Sequence, residues 1–393
     1  MLDNLPLEEA CRSLLNKIRP LESETIPLME STGRILATDF IAPYDLPPYR
    51  KAAMDGFALA FKENQGEEFS IRRNVEAGEF PDFTLQPGEA AGVLTGGHIP
   101  QGTEKVVPQE DVLVKGNSLT VNKMPAKDNI CIQGEDVRSQ TVLARKGAGV
   151  TPGLIAILAA YGLREIAVIR RPQVAILSLG NEIIPYDQED AAPGQVRDSN
   201  GALLAATVNM QGGLPTVNTA QADIEKKLQS LIRQADMVVT IGGTAHGGND
   251  QGKKLLEESG AEPVFLSCQL KPGGHSGAGM LDGKPVIMLS GNPMACFVGY
   301  YLLAYPVLRA LQTLNPDLKR LPAVVTNNFP KGGGPRRFLL GYAVLNPEGW
   351  RVAVLPAQRA SMRRSLADCN CLIELPAGHP PLEPGARASI IPV

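Results

Sequence analysis

Residues 236–250, DMVVTIGGTAHGGND, decide the fold. Met237 to Ile241 form an apolar run too short for a helix, and the run stops at the pair Gly242-Gly243. A strand buried on both faces reads this way, continuous rather than alternating. The segment after the glycine loop, QGKKLLEESG (251–260), has the spacing of an amphipathic helix. The same order of apolar strand, turn and helix extends in both directions. Upstream lie the strand QVAILSLGNE (173–182), the helix SNGALLAATVNMQGG (199–213), the strand LPTVNTA (214–220) and the helix ADIEKKLQSLIRQA (222–235). Downstream lie the strand PVFLSCQ (263–269), a glycine loop, the strand KPVIMLSG (284–291) and the long helix MACFVGYYLLAYPVLRAL (294–311). The pattern predicts an α/β domain with a doubly wound, mostly parallel sheet covered on both faces. Ligands of such sheets bind beyond the carboxyl ends of the strands. Here those ends are SLGNE, TIGGTAHGGND and LSGNP.

The flanking sequence has a different texture. LEEACRSLLNKI (7–18) places Leu7, Cys11, Leu14, Leu15 and Ile18 on one helical face. PLMESTGRILATDF (27–40) predicts a strand followed by a short helix opened by Ser31-Thr32. From Asp45 to Asp136, prolines and glycines punctuate short runs such as FSIRRN, AAGVLTG, EKVVPQEDVLV and SLTVN. That predicts a β-rich inserted domain. TPGLIAILAAYGL (151–163) is a helix, with Pro152 at its start and Gly162 at its end. From about Asn315 the chain predicts a small all-β C-terminal domain.

Composition bounds the function. Of 393 residues 44% are hydrophobic and 20% charged, which gives ample core and excludes a disordered chain. A net charge of −3 gives no bulk attraction to nucleic acid or to an anionic membrane. The N-terminal MLDNLPLEEACRSLL has no signal-peptide core, and no run of about 18 apolar residues stands out. A cytoplasmic location is therefore expected. The six cysteines are scattered among apolar neighbours, and the Cys369-x-Cys371 pair lacks further ligands for a zinc set. They read as reduced, mostly buried thiols.

Several segments carry chemistry. Gly242, Gly243, Gly247 and Gly248 expose main-chain N–H groups ahead of a helix, an arrangement that favours an anion, although tight turns alone give the same glycines. Gly291, Asn292 and Pro293 enter a helix in the same way, and Lys271 in QLKPGGHSGAG supplies a cation for phosphate or other oxyanion oxygens, if it is not simply solvated. Glu182 and Asp250 are carboxylates at strand ends, suited to Mg²⁺ beside a phosphate, to acid–base work, or to capping a helix. Asp55 in AAMDGFAL, and Glu135-Asp136 in GEDVRSQTVLARKG, read as turns or as functional carboxylates. His98, His246 and His275 stand in glycine-rich loops without metal-ligand spacing.

Taken in order, AMDG, LTG, GED, S-x-G-x-E, DSN, the double-glycine loop, KPG, GNP and SLAxxNxLIxLP resemble the molybdopterin molybdenumtransferase family, which includes bacterial MoeA proteins and the E domain of gephyrin. The resemblance runs from residue 7 to about 378. It implies molybdenum cofactor biosynthesis: adenylated molybdopterin and molybdate as substrates, Mg²⁺ as cofactor, hydrolysis of the adenylate as the metal is inserted, and a homodimer. The adenylating enzyme of the pathway is a further expected partner. Asp55, Asp136 and Glu182 take the catalytic positions. Thr95, Asp198, Ser199, Asn200, Gly242, Gly243, Lys271, Gly291, Asn292 and Pro293 take substrate positions, and Glu182 with Asp250 the metal. The implied division is 1–23 with 172–316 (molybdopterin-binding type), 24–44 with 137–171, 45–136, and 317–393.

The chain departs from the family pattern at Asn181, where an aspartate is usual, and at Gly274, where a second lysine is usual. It also departs at Lys51-Ala52, Thr244-Ala245-His246, Ser290 and Cys371. Restoring lysine at 274 is expected to return a cation without straining a glycine-bordered loop. The altered loops also suit a binding or scaffold protein, or a tungstate-selective variant.

Overall fold

A computed structural model describes residues 3–62, 67–243 and 249–393, the side chains of 249–253 apart. Two compact units emerge, one comprising residues 1–37, 149–151 and 165–393, the other 38–148 and 152–164.

The first unit is organised by a six-stranded sheet in the spatial order Leu214–Ala220, Gln173–Leu179, Met237–Ile241, Lys284–Leu289, Gly277–Leu281, Glu262–Phe265. The first four run parallel. Alternate side chains of the apolar runs point to opposite faces, so one run feeds two cores. Val174, Ile176, Val239 and Leu289 pack on one side, against helices Leu7–Leu15 and Ser199–Met210. Ala175, Leu177, Val238 and Met288 pack on the other, with Leu228 and Ile232 of helix Ile224–Gln234. Fully burying each large aliphatic side chain contributes about 1.5–3 kcal/mol, which is why these strands need no polar pattern.

The sheet is mixed at one edge. Gly277–Leu281, within and beyond what reads as a glycine loop, is a strand antiparallel to both neighbours. Added Cβ atoms at Gly277 and Gly279 would meet backbone oxygens at 2.9 Å, so the glycines serve close strand packing. The helix expected at Ser31-Thr32 is absent. A 3₁₀ turn, Leu28–Glu30, is closed by the Ser31 hydroxyl donating to Leu28 O, after which Ile35 and Leu36 bridge to Gly149 and Val168.

Pro293–Leu311 is one continuous helix, long and apolar enough to cross a membrane by length and composition, which the sequence reading passed over. It is mostly buried in the core: Cys296, Tyr300 and Leu308 are fully enclosed, and the middle turn, Tyr300–Ala304, is π-helical. Its apolar surface is thus used inside the chain. Residues 321–392 close a five-stranded barrel in the order Leu321–Val325, Gly349–Val354, Arg337–Asn346, Cys371–Leu375, Arg387–Pro392, as the short strands predicted.

The second unit is β-rich, as expected. Its six-stranded sheet has the order Lys105–Pro108, Gly56–Leu59, Glu89–Val93, Glu68–Asn74, Ser118–Val121, Val112–Lys115. Helix Pro152–Ala160 is present, and Gly162 takes the left-handed conformation after it.

All six cysteines are free. Burial pushes the thiols of Cys11, Cys268 and Cys371 up to about 12, so they are unreactive at neutral pH.

At the amino ends of the central strands, Asp236 binds Arg170 through two bonds of 2.6 and 2.7 Å and accepts the Gln173 N–H at 2.8 Å. Asp236→Ala should cost about 2–4 kcal/mol, at or below the range for breaking a buried pair because Arg170 is partly exposed. Urea unfolding with unchanged m-value measures this. Stability equal to the parent's would show that the pair does not clamp the sheet.

Candidate functional site

In the first unit the predicted residues at the parallel strand ends meet through the backbone. Gln173–Leu179 ends in a turn in which Ile183 N–H donates to Gly180 O (3.1 Å). Glu182 follows with its carboxylate exposed, and leads into Ile183–Ile184 rather than a helix. Helix capping, one reading of Glu182, is therefore excluded. Ile183–Ile184 pairs in parallel with Val196–Arg197, and Val196 N–H donates to Glu182 O (2.8 Å). That ladder delivers the chain to Asp198, the N-cap of helix Ser199–Met210.

Asp198 is buried. Its Oδ1 accepts the Gly201 N–H at 2.8 Å, while Oδ2 is enclosed with no hydrogen-bond partner. A Cβ at 201 would stand 2.1 Å from that Oδ2, so a larger residue there would displace the capping carboxylate. Asn200, next in the helix, donates from Nδ2 to Gly291 O at 2.7 Å. This bond joins the N-terminus of one helix to the loop that starts another at Pro293. Gly242 closes the group: its N–H donates to Leu289 O (2.9 Å), its φ is +89°, and an added Cβ would meet Leu179 O at 2.7 Å. A Cβ on Gly291 would lie 3.4 Å from the Gly242 Cα. The two glycine loops touch, and both helix N-termini bring positive potential to one place.

The C-terminal segment completes this end of the unit. Arg363 Nε donates to the Ser199 hydroxyl at 2.9 Å, and Met294 N–H donates to Ala360 O at 2.9 Å. Arg363 is a member of this cluster that the sequence reading missed. Its signal was the basic run Arg359, Arg363, Arg364 just before SLAxxNxLIxLP.

Lys271 sits next door. Its loop packs on the helix after Pro293, where a Cβ on Gly273 would lie 3.2 Å from Ala295 O. Lys271 N–H donates to Arg336 O and its own carbonyl accepts from Phe338, so the loop is stitched to the barrel. Lys271 is exposed and lines a cleft of about 1450 Å³ shared with His275, Arg320, Arg336 and Arg387. In that cleft Glu374 binds both Arg320 and Arg336. Gly274 is less permissive than expected. A side chain there would meet Leu270 O at 3.0 Å and Cys268 O at 3.2 Å, so a lysine requires the backbone to give.

Asp250 lies in helix Asn249–Ser259, but its side chain is outside the described residues, as are Thr244 to Gly248, the histidine at 246 included. Among the described residues no three His, Cys, Asp or Glu side chains form a metal cluster.

The other expected residues belong to the second unit. Thr95 grips Asp55, its N–H and hydroxyl both donating to Oδ1 at 2.7 and 2.8 Å. The backbone bond first, then the hydroxyl, holds the Asp55 carboxyl below the usual aspartate range. Asp136 is exposed in a turn built by its neighbour, where Glu135 Oε2 accepts the Ile132 N–H at 2.8 Å. No hydrogen bond among the described residues links Asp136 to the Asp55–Thr95 pair.

A doubly wound sheet with converging helix N-termini at its strand ends is the arrangement at which α/β proteins hold small anionic ligands. Family models match along its length: the MoeA N-terminal region (domains I and II) at residues 5–162, a probable molybdopterin binding domain at 175–310, and the MoeA C-terminal region (domain IV) at 322–393. The molybdopterin molybdenumtransferases of two Staphylococcus aureus strains, COL and MRSA252, are 30% and 31% identical over 98% of this chain and 95% of their own length. A MoeA protein from Pyrococcus horikoshii superposes with a TM-score of 0.85 at 28% identity, covering 99% of both chains. A second MoeA structure from that organism gives 0.81 at 26%, covering 100% of both. The chain belongs to the molybdopterin molybdenumtransferase family.

Thr95→Val keeps the N–H bond to Asp55 and removes the hydroxyl. The Asp55 pKa should rise part of the way to its ordinary value. Functions that need the carboxylate hold above that pKa and fade as pH falls through it, so in the variant they fade at higher pH. A carboxyl-carbon NMR titration reads the shift directly, and an unmoved midpoint would mean that the hydroxyl bond carries no weight.

Proposed function

We propose that this protein is a molybdopterin molybdenumtransferase that inserts molybdate into adenylated molybdopterin with Mg²⁺-dependent hydrolysis of the adenylate. The observation that carries the reading is the Asn200–Gly291 bond, which holds two helix N-termini together at the strand ends of the region matched by the molybdopterin-binding model. In this reading the N–H groups of Gly243 and Gly291 hold anionic oxygens, while Gly242, whose N–H is taken by Leu289 O, and Asn292, whose N–H meets the Ser290 hydroxyl, shape the two loops. The helix start at Pro293 and residues Asp198, Ser199 and Asn200 set their position, and Arg363 and Lys271 supply charge. Glu182 acts at the mouth of this site, and Asp55, fixed by Thr95, and Asp136 are the carboxylates that the second unit contributes to the chemistry. The names of the staphylococcal relatives support the assignment.

Magnesium usually binds through one or two carboxylates, with phosphate and water completing the shell. The exposed carboxylate of Glu182 and the unpartnered Asp198 Oδ2 fit such a need, with Asp250 as the further candidate. Bound there, the ion would neutralise phosphate charge. The working form is a homodimer in the cytoplasm, supplied by the enzyme that adenylates molybdopterin, and the chain divides into the four segments set out from its sequence. Pro293–Leu311 is mostly buried within the chain, so it offers little free surface to a second copy.

Complementation of a strain lacking its molybdenumtransferase should succeed with the parent gene at limiting molybdate. Failure at both limiting and high molybdate would contradict the assignment. In purified protein, Glu182→Gln should lower adenylate hydrolysis by at least about 100-fold, the usual scale for removing a general acid or base, with thermal stability unchanged. Retained turnover would remove Glu182 from the chemistry. Sedimentation at micromolar concentration should give a dimer, and a clean monomer would contradict the homodimer.

A further inference from the structure

The turn that carries Thr95 carries a second feature. Gly97 N–H donates to Leu94 O (2.9 Å), and the turn is tied to the Lys51–Ala52 strand by Gly96 N–H to Ala52 O (2.8 Å) and Ala52 N–H to Gly97 O (3.0 Å). His98 is therefore fixed three residues beyond the threonine that grips Asp55. Its ring is stacked on Tyr49 with 17° between the planes, and Phe80 meets it edge-to-face at 4.8 Å and 75°. Phe80 is 70% exposed, yet its loop is pinned. Glu79 accepts the Glu76 N–H at 2.9 Å and binds Arg73 at 2.5 Å, and Arg73 also reaches Asp82 at 3.5 Å. Three polar contacts thus hold the loop that keeps an apolar ring in water.

We propose that Tyr49, His98 and Phe80 form an aromatic ledge that stacks a planar fused nitrogen heterocycle, the class that includes both the pterin and the adenine of adenylated molybdopterin. The identity of that ligand rests on the function proposed above. The ledge has the properties such a ring needs. Aromatic faces attract heterocycles by stacking whatever their substituents. Burial lowers the His98 pKa, which favours the neutral imidazole in its stack with Tyr49. Asp55 spends Oδ1 on Thr95 and leaves Oδ2 for the ring N–H or amino groups that pterin and adenine both present. An aliphatic ligand would use none of these, and the patch of three rings is small for a protein partner.

Full-length protein should be titrated with 6-hydroxymethylpterin, read by its fluorescence, and separately with AMP by calorimetry. Because Phe80 is exposed, Phe80→Ala should keep the parent's melting temperature. It should weaken binding of at least one ring by between about 5- and 100-fold, the range for loss of one base–aromatic stack. Phe80→Trp should restore binding. A loss confined to the pterin assigns the ledge to the pterin, and a loss confined to AMP assigns it to adenine. Either supports the ledge. Parent protein that binds neither ring, or equal affinity in Phe80→Ala, overturns it. Ring binding that falls in Phe80→Ala while the parent inserts no molybdenum keeps the ledge and sinks the functional reading. Molybdenum insertion with binding indifferent to Phe80 does the reverse.

Discussion

The candidate site in the first unit depends on one hydrogen bond, from Asn200 Nδ2 to the carbonyl of Gly291 at 2.7 Å. Asn200 is almost wholly buried, so both groups would lose water without each other, and leaving one unpaired costs about 1–3 kcal/mol. The bond constrains three things together. It fixes the first turn of helix Ser199–Met210, it sets the loop that admits Pro293, and it keeps Gly291 against Gly242. Around it, Asp198 caps the helix and Arg363 reaches Ser199. The apolar sheet supplies rigidity from below, since Ile176, Val239 and Leu289 are fully buried in the core beneath these loops.

Much of this was legible in the sequence because burial on both faces leaves a one-dimensional signature. The runs at 173–179, 237–241 and 284–289 are apolar without alternation, and each stops at a polar or glycine turn. The barrel and the β-rich unit were legible from proline and glycine spacing. Gly277–Leu281 was not, because a strand with glycine on alternate positions looks like a loop until the neighbouring backbones are seen to need the space. Ser31-Thr32 resembled a helix start, but long-range bridges from Ile35 and Leu36 outweigh that local preference.

Individual site residues were less legible than the loops that carry them. The Thr95 grip on Asp55 spans 40 positions and the Arg363 contact with Ser199 spans 164, distances at which local pattern says nothing. Spacing also left Glu182 open to a capping role that the short strand after it rules out. Gly274 shows the opposite error. A glycine in a loop looks free to accept a lysine, yet two backbone oxygens stand 3.0 and 3.2 Å from where its Cβ would go, so the backbone would have to give. Asp198 Oδ2, buried without a partner, could be found only from the fold, and it marks an acceptor held beside the helix start.

The central claim is that the joined helix N-termini form the substrate site of the first unit. Equilibrium binding of adenylated molybdopterin to Asn200→Ala, under anaerobic conditions and beside the parent, tests it most directly. Losing the bond that sets both loops should weaken binding by about 10-fold or more, the equivalent of about 1.4 kcal/mol, while the variant stays folded. Affinity equal to the parent's, in a folded variant, would contradict the account.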